Sequence, residues 1–197
     1  MGEHEIGNRA VFLDRDGVLN RPVVRDGRPF PPAGIEEFEL YPDAADGCSQ
    51  LKKAGFLLVV VTNQPDVGRG TQTREAIEAM HAKLRAAIPF LDGIEVCFHA
   101  GAAHGEPCDC RKPKPGMLLR AAAAHAIDLR KSFLIGDRWR DVDCAHAAGC
   151  RAVFIDHGYQ ESLREKPEFT VGSFSEAVRA ILTATSQNLL SGPTCRD

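Results

Sequence analysis

The 197 residues suffice for one domain of ordinary size with a modest insertion, not for two full catalytic domains. With 44% apolar and 26% charged residues the chain can bury a core, and a net charge of −3 leaves no general basic field for nucleic acid or an anionic membrane. No apolar run approaches the roughly 18 to 20 residues of a membrane span, and residues 1–9 are polar without a signal-peptide apolar stretch, which points to a cytoplasmic protein.

In chain order, Ala10-Val11-Phe12-Leu13 reads as a buried strand ending at Asp14. Residues 21–39, rich in Pro and Gly, read as an irregular loop. Residues 41–54 read as a helix, with Pro42 near its first turn and Gly55 just past its end. The run 56–61 (FLLVVV) is too continuous for a half-exposed strand and suits a parallel sheet covered on both faces. Thr73 caps a helix whose Ile77, Met80, Leu84 and Ile88 share one face. A strand over 93–98 and a loop over 100–114 follow, then a helix over 117–126 with Pro115 ahead of it. Residues 132–135 form a fourth strand, 140–148 a helix closed by Gly149, 152–155 a fifth strand and 175–183 the last helix. Residues 186–197 are polar and read as a frayed, disordered tail, so a single domain is expected over 1–185.

Five strands alternating with single helices predict an α/β fold: a doubly wound parallel sheet with helices on both faces. Ligands in such sheets lie beyond the carboxyl ends of the strands, near the switch in strand order. Reactive residues are therefore expected directly after the apolar runs.

Asp14-Arg15-Asp16-Gly17 follows the first run, and two acids around a turn fit either a solvated Asp-Gly turn or a nucleophile with an adjacent acid/base. Thr62-Asn63-Gln64 follows the second, where a hydroxyl and free N–H groups can hold a phosphoryl oxygen. Arg111-Lys112-Pro113-Lys114 leads cations into a helix start. Gly136-Asp137-Arg138-Trp139-Arg140-Asp141 puts two carboxylates four apart on one side of a helical first turn.

This ordered set closely resembles the four motifs of haloacid-dehalogenase-type phosphatases, over roughly residues 10–154. The resemblance implies that Asp14 attacks phosphorus to give an aspartyl-phosphate, and that Asp16 protonates the leaving oxygen and then deprotonates water. It implies a catalytic Mg²⁺ held by Asp14, the main-chain oxygen of Asp16, and Asp137, with Asp141 acting behind them or through water. Thr62 and Lys112 would cradle the transferring oxygens. Lys112 is preferred to Lys114 because C-x-C-R-K-P-x-P-G-M matches the family pattern at that position.

Seven cysteines cannot all pair internally. Cys97, His99, Cys108 and Cys110 form two close pairs joined by a loop (97–110), a set that can wrap a structural tetrahedral Zn²⁺ in a reducing compartment. His104 lies in the loop without a cysteine partner at matching spacing, while Cys48, Cys144, Cys150 and Cys195 read as small apolar residues. This C-x-H…C-x-C-R-K arrangement looks like the subfamily of heptose-bisphosphate and histidinol-phosphate phosphatases. That likeness implies no large cap domain, with the metal-pinned loop gating the substrate instead. It also implies phosphate or substrate contacts from Thr62, Asn63, Gln64, Arg69, Arg111, Lys112 and Arg138. Pro65, Asp66 and Arg138 depart from the family pattern, as do Phe98 and Ala100-Gly101.

The implied activity is Mg²⁺-dependent hydrolysis of a phosphomonoester, foremost the 7-phosphate of a heptose 1,7-bisphosphate, with histidinol phosphate as the alternative substrate. A nucleic-acid 3′-phosphatase is disfavoured by the net charge of −3 and a single tryptophan. A zinc-stabilised binding module without turnover is the non-enzyme alternative. The expected partner is a small phosphorylated molecule, not nucleic acid or membrane, and the chain is expected to be a monomer.

Overall fold

A computed structural model of the chain describes residues 7–105 and 107–190. The elements are β1 (Ala10–Leu13), a hairpin of β2 (Val23–Arg25) and β3 (Arg28–Phe30), α1 (Ala44–Lys53), β4 (Leu57–Asn63), α2 (Pro65–Gly68), α3 (Arg74–Ala87) and β5 (Gly93–Cys97). They continue as α4 (Gly116–His125), β6 (Phe133–Gly136), α5 (Trp139–Ala148), β7 (Arg151–Ile155), β8 (Phe169–Val171) and α6 (Phe174–Leu190).

Six strands form one sheet in the order β5-β4-β1-β6-β7-β8, and every neighbouring pair is parallel. The chain lays down β1 in the middle, moves outward through β4 to β5, then returns to β1's other flank with β6. The switch in strand order thus lies beside β1, and the carboxyl ends of β1, β4 and β6 surround it.

Every residue of β1 is buried, because the sheet is covered on both faces. Val11 and Leu13 pack with α1, α3 and α6 through residues such as Leu51, Met80, Leu84 and Ile181. Ala10 and Phe12 point the other way, toward Met117, Leu118 and Val142 of α4 and α5. Cys48, Cys144 and Cys150 are buried in these two cores as free thiols, as expected of small apolar residues; Cys195 lies outside the described residues.

Local chemistry explains most boundaries. Thr73 caps α3 by accepting the Ala76 N–H at 3.1 Å, and Gly149 closes α5 at φ +81°. Helix α1 starts at Ala44 rather than residue 41, and the carboxylate of Asp43 before it accepts the Ser175 N–H at 3.1 Å, so it caps α6 instead of its own helix.

The expected loop over 21–39 contains the β2–β3 hairpin, whose turn puts Asp26 and Gly27 at φ +50° and +68°. Asp-Gly between short β-forming segments is a hairpin signal, masked here by the Pro-rich surroundings. Strand β8, three residues on the sheet edge, was too short to stand out as an apolar run. Helix α6 continues seven residues past the expected end at 183, so residues 186–190 are helix rather than tail, while 191–197 lie outside the described residues. The unbroken A-I-L-T-A-T-S-Q-N-L-L run contains neither Gly nor Pro to stop it.

Candidate active site

Asp14 stands directly beyond β1, its N–H donating to Ile135 O in β6 at 2.9 Å, so the ladder fixes its backbone. Asp137 follows β6, and Asp141 sits in the first turn of α5 with its carboxylate accepting the Arg138 N–H at 3.1 Å. Two glycines let these acids approach. A Cβ on Gly17 (φ +87°) would lie 1.9 Å from Asp137 Oδ2, and one on Gly136 would lie 2.2 Å from Asp141 Cβ.

Lys112 enters from the loop before α4 and is 2% exposed. Its ammonium lies 2.9 Å from Asp14 Oδ1, 2.6 Å from Asp141 Oδ1 and 2.9 Å from Val61 O, which uses all three donors. The Asn63 side-chain amide holds the Lys112 backbone at both ends, accepting its N–H and donating to its carbonyl, each at 3.1 Å. Lys114 instead pairs with Asp109 on the surface, so geometry as well as pattern separates the two lysines.

One ligand atom from each of Asp14, Asp137 and Asp141 falls within 4.8 Å of the others, all three residues being buried. Three carboxylates share one ammonium, and the surplus charge appears as raised pKa values. Burial, and then the Asp141 charge, push Asp14 up to about 7 against the pull of Lys112. Burial with the charges of Asp14 and Asp141 holds Asp137 well above the usual carboxylate range. Burial alone would lower the Lys112 pKa, but Asp14 and Asp141 raise it above the ordinary lysine value. Asp137 Oδ1 is buried with no hydrogen-bond partner. A hard divalent cation with oxygen ligands would supply both the missing charge and the missing partner, so these residues fit Mg²⁺.

Asp16 is turned toward Arg15, Asn20 and Gln64. The Arg15 Nη2 lies 3.1 and 3.0 Å from its two oxygens, Asn20 Nδ2 donates to Oδ1 at 2.9 Å and Gln64 Nε2 to Oδ2 at 2.9 Å. Gln64 is fully buried behind Asp16 and Thr62 rather than on the cavity surface, where a substrate contact would put it.

A cavity of about 640 Å³ opens over the strand ends, with Asp14, Asp16, Thr62, Asn63, Lys112, Asp137 and Asp141 in its lining. Cations ring it: Arg69 pairs with Asp66 at 3.2 Å, and Arg138 binds Glu161 through both guanidinium branches. Arg111 lowers into the wall with Nη1 buried and without a hydrogen-bond partner; burial, and then the charges of Arg140 and Arg69, lower its pKa. The expected contacts Arg69, Arg111 and Arg138 are thus brought to one cavity.

The sequence reading missed Arg28 and Phe30 of the hairpin, and Arg140, Tyr159 and Glu161, all in the lining. The segment holding Tyr159 and Glu161 follows the fifth apolar run, β7. The rule that reactive residues follow apolar runs, applied there too, would have found them.

The second cluster lies at the end of β5. Ligand atoms of Cys97, His99, Cys108 and Cys110 all fall within 4.8 Å of one another. Cys97 Sγ is 3.6 Å from His99 Nδ1 and 3.8 Å from Cys108 Sγ, while Cys110 Sγ is 3.2 Å from His99 Nδ1. Burial pushes the Cys97 thiol up to about 12. His104, in a 3-10 turn over Ala102–His104, is exposed and outside this group. The loop packs tightly on α2, where a Cβ on Gly68 would lie 2.5 Å from Phe98 O and Ala100 N.

Among known proteins, the chain is 39% identical over 167 residues to a D-glycero-β-D-manno-heptose-1,7-bisphosphate 7-phosphatase of Pseudomonas putida, covering 83% of this chain and 92% of the relative. The chain belongs to this family of haloacid-dehalogenase-like phosphatases. The HAD-hydrolase-like family also matches residues 109–177. A relative of the same name from Escherichia coli K12 is 41% identical over 149 residues, 71% of this chain and 74% of the relative. The crystal structure of a D,D-heptose 1,7-bisphosphate phosphatase from B. bronchiseptica, complexed with magnesium and phosphate, superposes with a TM-score of 0.72 at 27% identity, covering 89% of this chain and 99% of that one. The chain is therefore an enzyme, a phosphoric monoester hydrolase of the haloacid-dehalogenase-like fold. Among the described residues no helix is long and apolar enough to cross a membrane.

Proposed function

We propose that this enzyme removes the 7-phosphate of D-glycero-β-D-manno-heptose 1,7-bisphosphate, leaving the heptose 1-phosphate. The observation that carries the reading is the buried trio Asp14, Asp137 and Asp141 with Lys112, set at the floor of an arginine-rimmed cavity. The names of the relatives point to the same substrate.

Asp14, Asp137 and the main-chain oxygen of Asp16 would hold Mg²⁺, while Asp141 is occupied by Lys112. When bound, Mg²⁺ neutralises part of the phosphate charge that repels an attacking carboxylate. Lys112 and the Arg15 N–H both engage Asp14 Oδ1, which leaves Oδ2 for attack. Oδ2 bonds to phosphorus, and the bond from phosphorus to the sugar oxygen breaks with its electron pair on that oxygen. The sugar oxygen takes the proton of the Asp16 carboxyl. Water then attacks phosphorus and gives its proton to the Asp16 carboxylate. The bond to Asp14 breaks, returning a free carboxylate and inorganic phosphate. Thr62 donates to a transferring oxygen as its charge grows, while Lys112, its donors engaged by Asp14, Asp141 and Val61, sets a positive charge beside the nucleophile. Arg69, Arg111 and Arg138 bind the rest of the substrate, with Asn63 holding Lys112 in place.

We assign a structural zinc to Cys97, His99, Cys108 and Cys110. A tetrahedron with Zn–S distances of about 2.3 Å has edges of about 3.8 Å between sulfurs, and Cys97 and Cys108 stand 3.8 Å apart. Such thiolates persist in a reducing compartment, which supports a cytoplasmic location. All the site groups come from one chain, so a monomer suffices. The catalytic domain runs through α6 without a large cap, and the β2–β3 hairpin lines the cavity mouth in its place.

Phosphate release by purified protein on heptose 1,7-bisphosphate and on histidinol phosphate tests the reading, with ³¹P NMR to show which phosphate leaves. A preference for the bisphosphate, with the 1-phosphate retained, is expected. A preference for histidinol phosphate would sink the heptose assignment.

A further inference from the structure

We propose that Gln64 is a positioning residue that aims both the acid/base carboxylate of Asp16 and the phosphate-binding hydroxyl of Thr62, and that it acts through them without touching substrate. The inference rests on the phosphatase reading and deepens it.

Gln64 is fully buried just beyond β4, and its N–H donates to the Cys97 carbonyl at 2.8 Å, which ties its backbone to the end of β5. Its side-chain Nε2 lies 2.9 Å from Asp16 Oδ2 and 2.9 Å from Thr62 Oγ1. An amide NH₂ has two hydrogens, and here each has one acceptor. The opposite amide orientation would turn both N–H groups to the buried side where no partner lies, so the chemistry selects the donor orientation.

The orientation has a cost that marks it as selected for something. Gln64 Oε1 is left buried with no hydrogen-bond partner. A glutamine serving only to fill space would be replaceable by an apolar residue with no orphaned acceptor.

Two consequences follow. The Thr62 hydroxyl accepts from Gln64, so its own hydrogen is free to point at the cavity, where the transferring phosphoryl oxygen would sit. Asp16 meanwhile is held by Gln64 on Oδ2, by the Asn20 amide on Oδ1 and by the buried Arg15 guanidinium across both oxygens. Removing the Gln64 donors loosens the carboxyl that must reach the leaving oxygen, and leaves Arg15 to draw it aside.

The test compares kcat/KM for Gln64→Leu on two leaving groups: the heptose bisphosphate, or whichever alkyl phosphate the wild type turns over best, and p-nitrophenyl phosphate. This ratio reports steps only through transfer to Asp14, and the nitrophenolate leaves without needing a proton. Gln64→Leu is expected to lower kcat/KM on the alkyl phosphate at least about tenfold more than on the aryl phosphate, since general acid catalysis contributes roughly 10² to 10⁴-fold. Equal losses on both would overturn the proposal, because a purely structural role, or one through Thr62 alone, would not distinguish leaving groups. Gln64→Met keeps the length without the donors and serves the same comparison if the leucine variant does not fold. Failure of both to fold would assign Gln64 to the core and equally overturn the proposal. Asp16→Asn measured alongside separates the outcomes: an equal loss on both substrates there would remove the acid assignment itself, independently of Gln64.

Discussion

The acidic trio at the strand ends and the thiol cluster at the end of β5 are both groups that can hold a metal, yet they are built in opposite ways. Asp14 and Asp137 follow paired strands directly, Asp141 is locked into the first turn of α5, and Lys112 already supplies one of the charges they need. The sheet therefore shapes this site before any ion arrives. In the thiol cluster only Cys97 belongs to a strand; His99, Cys108 and Cys110 hang on a loop, and the close contacts among their ligand atoms are with each other. There the proposed zinc would be part of the fold, its binding free energy being folding free energy. An ion needed for chemistry must keep a coordination position open, whereas an ion that replaces a core is enclosed by protein ligands.

The largest effect that separates the two sites is Asp14→Asn. It should lower turnover by more than about 10³-fold, since the amide cannot form the aspartyl-phosphate, while metal analysis still finds about one zinc per chain. The substitution removes one of three mutually repelling buried carboxylates, so the thermal midpoint should not fall. Activity above a tenth of wild type would refute the nucleophile assignment.

Gly17→Ala asks whether the backbone alone can break the acidic site. Its Cβ would lie 1.9 Å from Asp137 Oδ2 at a φ of +87°, so Asp137 must move. A displacement near 1 Å costs about 10²-fold in such sites, and kcat/KM together with Mg²⁺ dependence should show it while zinc content is unchanged. Activity within about threefold of wild type would mean that Asp137 tolerates the shift and is not held as described.

Cys110→Ser attacks the other region. Loss of the zinc should cost several kcal/mol of stability, read as a lower denaturation midpoint in urea. Lys112 is two residues away, so turnover should also fall, by about tenfold, through misplaced cations. A zinc-free Cys110→Ser protein with full stability and activity would show that the loop needs no ion.

The same contrast explains what was legible in the sequence. Residues at strand ends announce themselves, because an apolar run followed by Asp14, by Thr62 or by Gly136-Asp137 states both position and chemistry. That Cys97, His99, Cys108 and Cys110 come together was legible from spacing alone. Asn63 and Gln64 read as substrate contacts, but whether an amide touches substrate or braces a neighbour depends on which side of the strand end it packs: Asn63 braces Lys112, and Gln64 packs behind Asp16 and Thr62. Glu161 follows the apolar run of β7, which signals its position but not its partner. Its importance comes from a bidentate grip on Arg138 across 23 positions of sequence, which only tertiary packing creates. The β2–β3 hairpin was hidden because its strands are three residues each and largely exposed, with no apolar alternation to read.

The smallest effect concerns how the acidic site meets its ion as pH changes. Asp14 is raised from the usual carboxylate value to about 7 in the folded, ion-free protein, chiefly by burial. Between the unfolded value near 4 and about 7, the folded state therefore binds a proton that the unfolded state does not. That contribution to stability is fully present at low pH and is lost as pH rises through 7. Mg²⁺ needs the same carboxylate deprotonated, so its stabilisation should run the opposite way. The rise in thermal midpoint on adding Mg²⁺ is expected to be a few degrees at pH 8 and to shrink toward nothing at pH 5. His81, pushed down to about 4 by burial and by Arg15, destabilises the fold as pH falls, but it does so with and without Mg²⁺ and cancels in the difference. Asp14→Asn should flatten the difference curve, whereas Cys110→Ser should shift both curves downward and leave their separation intact. A Mg²⁺ effect that stays constant from pH 5 to 8 would mean that the ion does not compete with protons for Asp14, and that the acidic trio is not its site.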